Sequence, residues 1–265
     1  MNKHIIYTIM ASPLRYPGGK TRAGKLLWAF LQKEYPKTKY LVSPFFGGGS
    51  FELLCASRGI KIFGNDLFEP VSNFWVTVRS QPLDLAEACR LLRPLSKADF
   101  YRLRSMIDAE KDDLLRAAYY FAINRSSFSG STCSGGFSEE SAKSRFTESS
   151  IERITDLNMS NVMPIYNEDF EVFMKRYEPQ DHLTVFLDPP YYIESKLYGK
   201  DGDLHRNFQH ERLASLLKTR NDWLLCYNDC EYIRKLYEGC RIQKVNWSYG
   251  MNTTKESNEI IIMPR

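Results

Sequence analysis

The sequence has no long hydrophobic run, few cysteines and no marked excess of charge. No apolar segment approaches the roughly 18 residues of a membrane-spanning helix. No basic-then-apolar segment follows Met1, so we expect a cytoplasmic protein without a membrane partner. Six cysteines in 265 residues do not form the dense paired pattern of a secreted disulfide scaffold. These absences predict free thiols in a reducing compartment.

Two common ligand motifs are also missing. Cys226 and Cys230 lie four positions apart, which is not a usual zinc spacing, and the sequence predicts no metal site. The segment RYPGGKT, residues 15–21, ends like a phosphate-binding loop, but Leu14 stands where that loop needs its first glycine. A nucleoside triphosphatase is therefore disfavoured, and the Gly-Gly-Lys needs another explanation.

What remains is typical of a globular α/β protein. The hydrophobic content of 43% is ordinary, and a formal charge of +4 permits a polyanionic partner without requiring one. Short apolar runs alternate with helical patterns, which predicts a mostly parallel sheet with an antiparallel edge strand. The predicted strands are Tyr40–Phe45, Lys61–Gly64, Val162–Tyr166, Leu183–Leu187, Trp223–Tyr227, Arg241–Trp247 and Glu259–Met263. The predicted helices between them are Thr21–Tyr35, Ser50–Ser57, Pro70–Arg79, Phe170–Arg176, Gln209–Thr219 and Tyr232–Glu238.

The alternation stops between residues 82 and 148. This stretch is helical in pattern and then rich in serine and glycine, which predicts an insertion at 82–148 in a domain formed by 1–81 and 149–265. Composition alone favours a flexible surface loop. The alternative is a DNA-facing loop or hairpin, since aromatic side chains wedge between bases and arginines reach base edges or phosphates. The candidate DNA contacts are Arg125, Phe128, Lys143 and Arg145.

A glycine-rich turn follows the first predicted strand. In YLVSPFFGGGSFELL, residues 40–54, the glycines lie between a strand and a helix, where backbone N–H groups meet a ligand or form a tight turn. Asp66 ends the second strand, 19 residues after Gly47. An acid at about this separation binds ribose hydroxyls in dinucleotide-binding folds. The alternative for Asp66 is a helix N-cap.

The most informative stretch is TVFLDPPYY, residues 184–192. An apolar strand ends at Asp188, and two prolines fix the backbone at the carboxyl edge of the sheet, where open α/β folds bind ligands. Tyr191 then provides a flat aromatic face. A carboxylate, backbone carbonyls and an aromatic ring in one rigid turn suit a planar amine. The turn therefore indicates a site for a nucleobase amino group.

Several motifs together resemble the Dam-like, alpha-group DNA adenine methyltransferases. The sequence DPPY at 188–191 is similar to the catalytic motif of amino methyltransferases acting on DNA. SPFFGGGS at 43–50 resembles their cofactor loop, RYPGGK their N-terminal element and NRSSFSG at 124–130 a further family segment. The order of the motifs also agrees, and the resemblance extends from Arg15 to Met263. The fold expected on this basis is a Rossmann-like methyltransferase sheet.

The resemblance implies S-adenosylmethionine as cofactor and double-stranded DNA as substrate, in the cytoplasm or at the nucleoid of a prokaryotic or phage-infected cell. It implies that the adenine is flipped out of the duplex. The Asp188 carboxylate and the Pro189 carbonyl would then accept its N6 hydrogens while the base stacks on Tyr191. The implied catalytic residues are Asp188, Pro189, Pro190 and Tyr191. The implied cofactor residues are Tyr16, Gly18, Lys20, Phe45, Phe46, Gly47, Gly49, Asp66, Asp169 and Asp188.

Two readings remain beside adenine methylation. Cytosine N4 methylation uses similar turns, because its target is also a conjugated exocyclic amine. A non-catalytic DNA-binding module on the same fold would not require the acidic turn. The stretch STCSGGFSEESAKSRF, residues 131–146, departs from the family pattern and bears on which DNA sequence is recognised.

Overall fold

A computed structural model describes residues 11–16, 18–193, 203–245 and 259–265 of the chain. Six strands form one sheet in the order β2-β1-β3-β4-β6-β5. The first four positions are parallel, and β6 runs antiparallel to both β4 and β5. The strands are β1 Tyr40–Ser43, β2 Lys61–Gly64, β3 Leu183–Leu187, β4 Trp223–Asn228, β5 Arg241–Val245 and β6 Glu259–Met263. The predicted mostly parallel sheet with an antiparallel edge is confirmed.

Prolines account for two differences from the predicted strands. The prediction for Val162–Tyr166 is wrong, because only two isolated parallel bridges join this segment to the β2 side of the sheet. Pro164 lies in its middle and supplies no N–H for a continuous ladder. Strand β1 likewise ends at Ser43, two residues before the predicted end at Phe45, and the next residue is Pro44. The predicted end of the fifth strand at 246–247 lies outside the described residues.

The helices cover both faces of the sheet. Side chains alternate along each strand, so that Leu41 faces one core cluster and Val42 the other. Phe186 and Val185 of β3 divide in the same way. The helices before the inserted region are α1 Gly24–Glu34, α2 Ser50–Ser57 and α3 Glu69–Ser80. Those after it are α8 Glu148–Thr155, α9 Phe170–Met174, α10 Asp203–Arg206, α11 His210–Leu217 and α12 Glu231–Leu236.

Residues 82–148 form four helices and two short 3-10 turns. The helices are α4 Pro82–Leu91, α5 Lys97–Met106, α6 Asp113–Ser126 and α7 Glu139–Ser144, with turns at Phe128–Gly130 and Thr132–Ser134. Helix α6 packs on α3, where the rings of Phe74 and Phe121 stack at 5.8 Å. The apolar core of the region is thus continuous with that beneath the sheet. That 82–148 is a separate recognition domain stays a prediction.

The Asn124 side chain attaches the N-terminal segment, which ends with RYPGGK, to the end of α6. Asn124 accepts a hydrogen bond from the Arg15 backbone N–H at 2.9 Å and donates to the Arg15 carbonyl at 2.6 Å. Gly130 lies so close that an added Cβ would stand 2.6 Å from the same carbonyl. The motifs RYPGGK and NRSSFSG, more than a hundred residues apart, therefore meet directly.

We predict that Asn124→Ala destabilises the protein by about 1–3 kcal/mol, because it leaves the buried backbone groups of Arg15 without partners. Denaturant unfolding followed by circular dichroism measures the change. Asn158→Ala is the control, since Asn158 is an exposed asparagine outside this contact. Equal stability of the two variants would contradict the proposed attachment.

Candidate active site

The distant motifs line one cavity at the carboxyl ends of β1, β2 and β3. Its volume is about 290 Å³, close to the lower end for small-molecule sites. Open α/β sheets bind ligands at this edge. The predicted site residues that line it are Tyr16, Lys20, Phe45, Phe46, Gly47, Gly49, Asp66, Asp169, Asp188 and Pro190. Gly18, Pro189 and Tyr191 are not among its lining residues, although Tyr191 and Gly18 contact Lys20.

The glycine loop is shaped by close packing against aromatic rings. Gly47 and Gly49 have positive φ angles of 47° and 63°, which glycine adopts without strain. A Cβ at Gly48 would lie 2.7 Å from Tyr16, so the N-terminal segment closes over the loop. The Trp75 indole donates to the Gly47 carbonyl at 2.8 Å from the opposite side. An added Cβ would meet Tyr16 at Gly47 and Gly48 and would meet Phe46 at Gly49, so only glycine fits at these positions.

Asp66 binds the glycine loop and does not cap a helix. Its carboxylate accepts hydrogen bonds from the Gly47 N–H at 2.8 Å and the Phe68 N–H at 2.9 Å. The N-cap of α3 is Phe68, so the capping alternative is wrong. Burial raises the pKa of Asp66 to about 6, although the two N–H groups act in the opposite direction. The carboxylate lines the cavity and holds the loop in shape.

Lys20 and Asp188 form a buried ion pair. The Lys20 ammonium lies 2.7 Å from both oxygens of Asp188 and also donates to the Gly18 carbonyl at 2.9 Å. The lysine side chain is 3% exposed, while that of Asp188 is 23% exposed and borders the cavity. Burial raises the pKa of Asp188, and the Lys20 charge limits this rise. Among the described residues, the lysine of RYPGGK thus binds the Asp188 carboxylate of the DPPYY turn.

The DPPYY turn is held by the ends of the two neighbouring strands. The Asn228 side chain, at the end of β4, accepts from the Tyr192 N–H and donates to its carbonyl, both at 2.9 Å. The Tyr191 hydroxyl donates to the Glu259 carboxylate at 2.6 Å. Asn228 and Glu259 are opposite each other in the β4–β6 ladder. One rung of the sheet therefore fixes both tyrosines that follow the prolines.

Three phenylalanines form one wall of the cavity. The ring centroids of Phe45, Phe170 and Phe208 lie 5.5–5.8 Å apart. Beside them, the Asp169 carboxylate pairs with Arg212, whose guanidinium lies 4.8 Å from the Phe170 ring. Such an apolar wall with a polar edge suits a flat heteroaromatic ring. Phe170, Phe208 and Arg212 were not identified in the sequence, because only the fold brings α9 and α11 together.

Glu52 is the main cavity residue that the sequence reasoning missed. It is 3% exposed, lines the cavity and accepts a hydrogen bond from the Ser43 hydroxyl at 2.7 Å. Burial raises its pKa to about 7. A signal was present, because Glu52 is the one acidic residue of the otherwise apolar helix SFELLCAS. A charged residue inside a buried helix is rarely there for packing.

The predicted DNA contacts divide into one buried and three exposed side chains. Arg125 is 6% exposed, donates to the carbonyls of Arg145 and Pro13, and has its pKa lowered to about 9 by burial. As a contact to external DNA its prediction is not supported, because its donors bind backbone inside the protein. Phe128 is 68% exposed, and Lys143 and Arg145 are also exposed.

Within the described ranges, no cluster of histidine, cysteine or acidic side chains is arranged to hold a metal ion. No helix in that part of the chain has the length and apolar character needed to cross a bilayer. All six cysteines are free thiols.

Comparison with known families gives one match. The family model described as D12 class N6 adenine-specific DNA methyltransferase matches residues 16–251. A search of curated protein sequences finds no match. The matched range includes the N-terminal segment, the glycine loop, residues 82–148 and the DPPYY turn.

We predict that Glu52→Gln stabilises the empty protein at pH 8 and has little effect at pH 5. The folded pKa of about 7 exceeds the ordinary value of 4.5, so the native state binds the extra proton and stability falls as pH rises between these values. Removing the charge should recover up to about 3 kcal/mol at pH 8. Thermal melting across this range measures the effect.

Glu178→Gln is the matched control, because Glu178 is exposed and outside the cavity. If both variants keep the pH dependence of the unsubstituted protein, Glu52 is not the group responsible.

Proposed function

The chain belongs to the D12 class N6 adenine-specific DNA methyltransferases, and we propose that it transfers the methyl group of S-adenosylmethionine within the cavity described above. Membership makes it an enzyme that methylates adenine N6 in DNA, so the predicted activity is confirmed and the cytosine and non-catalytic readings are wrong. The donor, the flipped base and the roles of individual residues are the proposal. The buried Lys20–Asp188 pair at the cavity edge is the observation that carries it.

The cavity residues fit an adenosine. Asp66 provides a carboxylate for ribose hydroxyls, 19 residues after Gly47. The wall of Phe45, Phe170 and Phe208 provides an apolar slot for the adenine ring. Asp169 stands at the edge of this slot, where Arg212 fixes its carboxylate for contact with polar edge atoms of the base. With the adenine in this slot and the ribose at Asp66, the sulfur end of the donor would extend toward Asp188.

The donor supplies a methyl group activated by a sulfonium charge. Asp188 orients the target amine, because its carboxylate accepts an N–H bond while the Pro189 carbonyl accepts the second. These bonds favour a tetrahedral nitrogen with its lone pair directed away from the ring. Lys20 holds the carboxylate in place and favours its ionised form against the effect of burial on the pKa. Most of the acceleration then comes from positioning and preorganised charge.

The target base must leave the duplex to reach Asp188, which costs a few kcal/mol of unpairing and unstacking. Tyr191 offers a stacking face whose hydroxyl is already bound to Glu259. Phe128, on an exposed turn beside the N-terminal segment, suits the space that the flipped base vacates. Lys143 and Arg145, on and after α7, are exposed cations that suit phosphate contacts, and Lys143 would exchange its surface ion pair with Glu139 for one. We assign Arg125 a structural role in holding this region.

The central experiment incubates the protein with tritiated S-adenosylmethionine and duplex DNA, followed by digestion to nucleosides. N6-methyl-2′-deoxyadenosine carrying the label is expected only with duplex DNA and protein present. Failure of the donor to bind in equilibrium dialysis would overturn the proposed cofactor, whatever the DNA supplied.

We predict that Asp188→Asn and Asp188→Ala reduce kcat by at least about a hundredfold, because the oriented charge at the target amine is lost. Donor affinity should change much less. Asp181→Asn is the control, because Asp181 is an exposed acid preceding the same strand at the opposite edge of the sheet. Normal turnover of Asp188→Asn would contradict the assignment, and its melting curve reports whether Lys20 tolerates the loss.

We also predict distinct effects for the exposed insertion residues. Lys143→Ala and Arg145→Ala should each lower the slope of log Kd for DNA against log salt by about one unit. Phe128→Ala should weaken DNA binding without changing that slope, because stacking releases no counterions.

Lys37→Ala is the control for these variants, since Lys37 is exposed before β1 on the other side of the sheet. Loss of donor affinity with unchanged DNA affinity would refute the placement.

A further inference from the structure

The carboxyl group of Glu52 is buried in the cavity and paired with no cation among the described residues. Helix α2 is buried continuously from Phe51 to Ala56, so Glu52 lies inside the protein and not on a solvated face. Ser43, at the end of β1, donates the only side-chain hydrogen bond found for the carboxylate in the described part of the chain. The Ser43 hydroxyl and the backbone N–H of Glu52 itself still leave part of the accepting capacity of the carboxylate unused.

The neighbouring charges do not neutralise Glu52. Lys20 and Asp188 act on it in opposite directions, and they are bound to each other. Glu52 also raises the pKa of two buried thiols, those of Cys55 on its own helix and Cys226 on β4, so neither thiol supplies a compensating positive charge. The other basic residue of the cavity lining, Arg212, is paired with Asp169 and Glu171. The described residues therefore leave a negative site within the cavity that a ligand cation could occupy.

The position of Glu52 indicates which part of S-adenosylmethionine it would contact. The Glu52 carboxylate is bound to Ser43 at the end of β1, beside β3, which leads to Asp188 and the proposed position of the reacting sulfur. Asp66 follows β2 on the other side of β1, where the ribose is proposed to lie. The methionine portion therefore extends toward Glu52. The sulfonium has no N–H to donate, whereas the α-ammonium of this portion has three.

We propose that Glu52 binds the α-ammonium group of S-adenosylmethionine through a charge-assisted hydrogen bond. This inference rests on the proposed cofactor and adds a residue that the sequence motifs do not assign. It explains why a carboxyl that costs stability in the empty cavity is present. It also couples donor binding to a proton, because the carboxyl with a pKa of about 7 must ionise before it accepts the ammonium.

The test compares three ligands by isothermal titration calorimetry. Glu52→Gln should raise Kd for S-adenosylmethionine and S-adenosylhomocysteine by at least about tenfold, the loss expected for a charge-assisted bond. Both ligands carry the ammonium. Kd for 5′-methylthioadenosine, which lacks the amino-acid portion, should stay the same. Asp66→Asn is the control, because it should weaken all three ligands alike.

Proton release separates binding from a structural role. At pH 7, titrations in buffers of different ionisation enthalpy should show roughly half a proton released on donor binding, and none from this site in Glu52→Gln. For the unsubstituted protein, Kd should rise as pH falls from 8 to 6. Ser43→Ala keeps the carboxylate and should shift this rise to higher pH, because the donor that favours ionisation is removed.

Unchanged affinity and proton release in Glu52→Gln would overturn the inference while leaving the cofactor assignment intact. Equal weakening of 5′-methylthioadenosine would also overturn it, since the residue would then shape the cavity generally. Absence of donor binding to the unsubstituted protein would instead defeat the proposed function itself.

Discussion

The ion pair between Lys20 and Asp188 is the contact on which the site depends. It joins the N-terminal segment to the end of β3, and the cavity lies between them and the glycine loop. Breaking a buried pair costs about 3–5 kcal/mol, because the remaining charge is left without a partner. The two motifs are therefore maintained as a unit. The Gly-Gly-Lys that resembles a phosphate-binding loop is explained by this carboxylate partner, without any phosphate.

A second constraint fixes how the N-terminal segment reaches this position. Asn124 binds both backbone groups of Arg15, and Gly130 leaves no room for a side chain beside them. The same stretch continues into the exposed turn that carries Phe128. The surface proposed for DNA and the lysine that orients Asp188 are thus connected through a few residues. In the proposed complex with DNA, this connection would link the position of the base to that of its acceptor, Asp188.

The sequence was most informative where local chemistry decides the structure. Short apolar runs predicted the six strands and a mostly parallel sheet with an antiparallel edge, together with a seventh strand at Val162–Tyr166 that does not form. DPPY predicted the acidic turn. The sequence failed where partners come from distant segments. Arg125 lies in a serine- and glycine-rich stretch typical of a surface loop, yet it is buried against Pro13 and Arg145. Glu52 was overlooked although it is the one acidic residue of its helix, because the cavity on that side of α2 is formed by segments distant in sequence.

Two buried acids make a binding site of this kind costly for the stability of the fold. Glu52 and Asp66 have pKa values raised to about 7 and 6, since burial disfavours their charged forms. Without a ligand, their ionisation near neutral pH lowers the stability of the fold. The proposed ligand, with an ammonium group and ribose hydroxyls, would add donors to those that these carboxylates already have. Contacts of this kind would offset part of the free energy lost by keeping two acids buried.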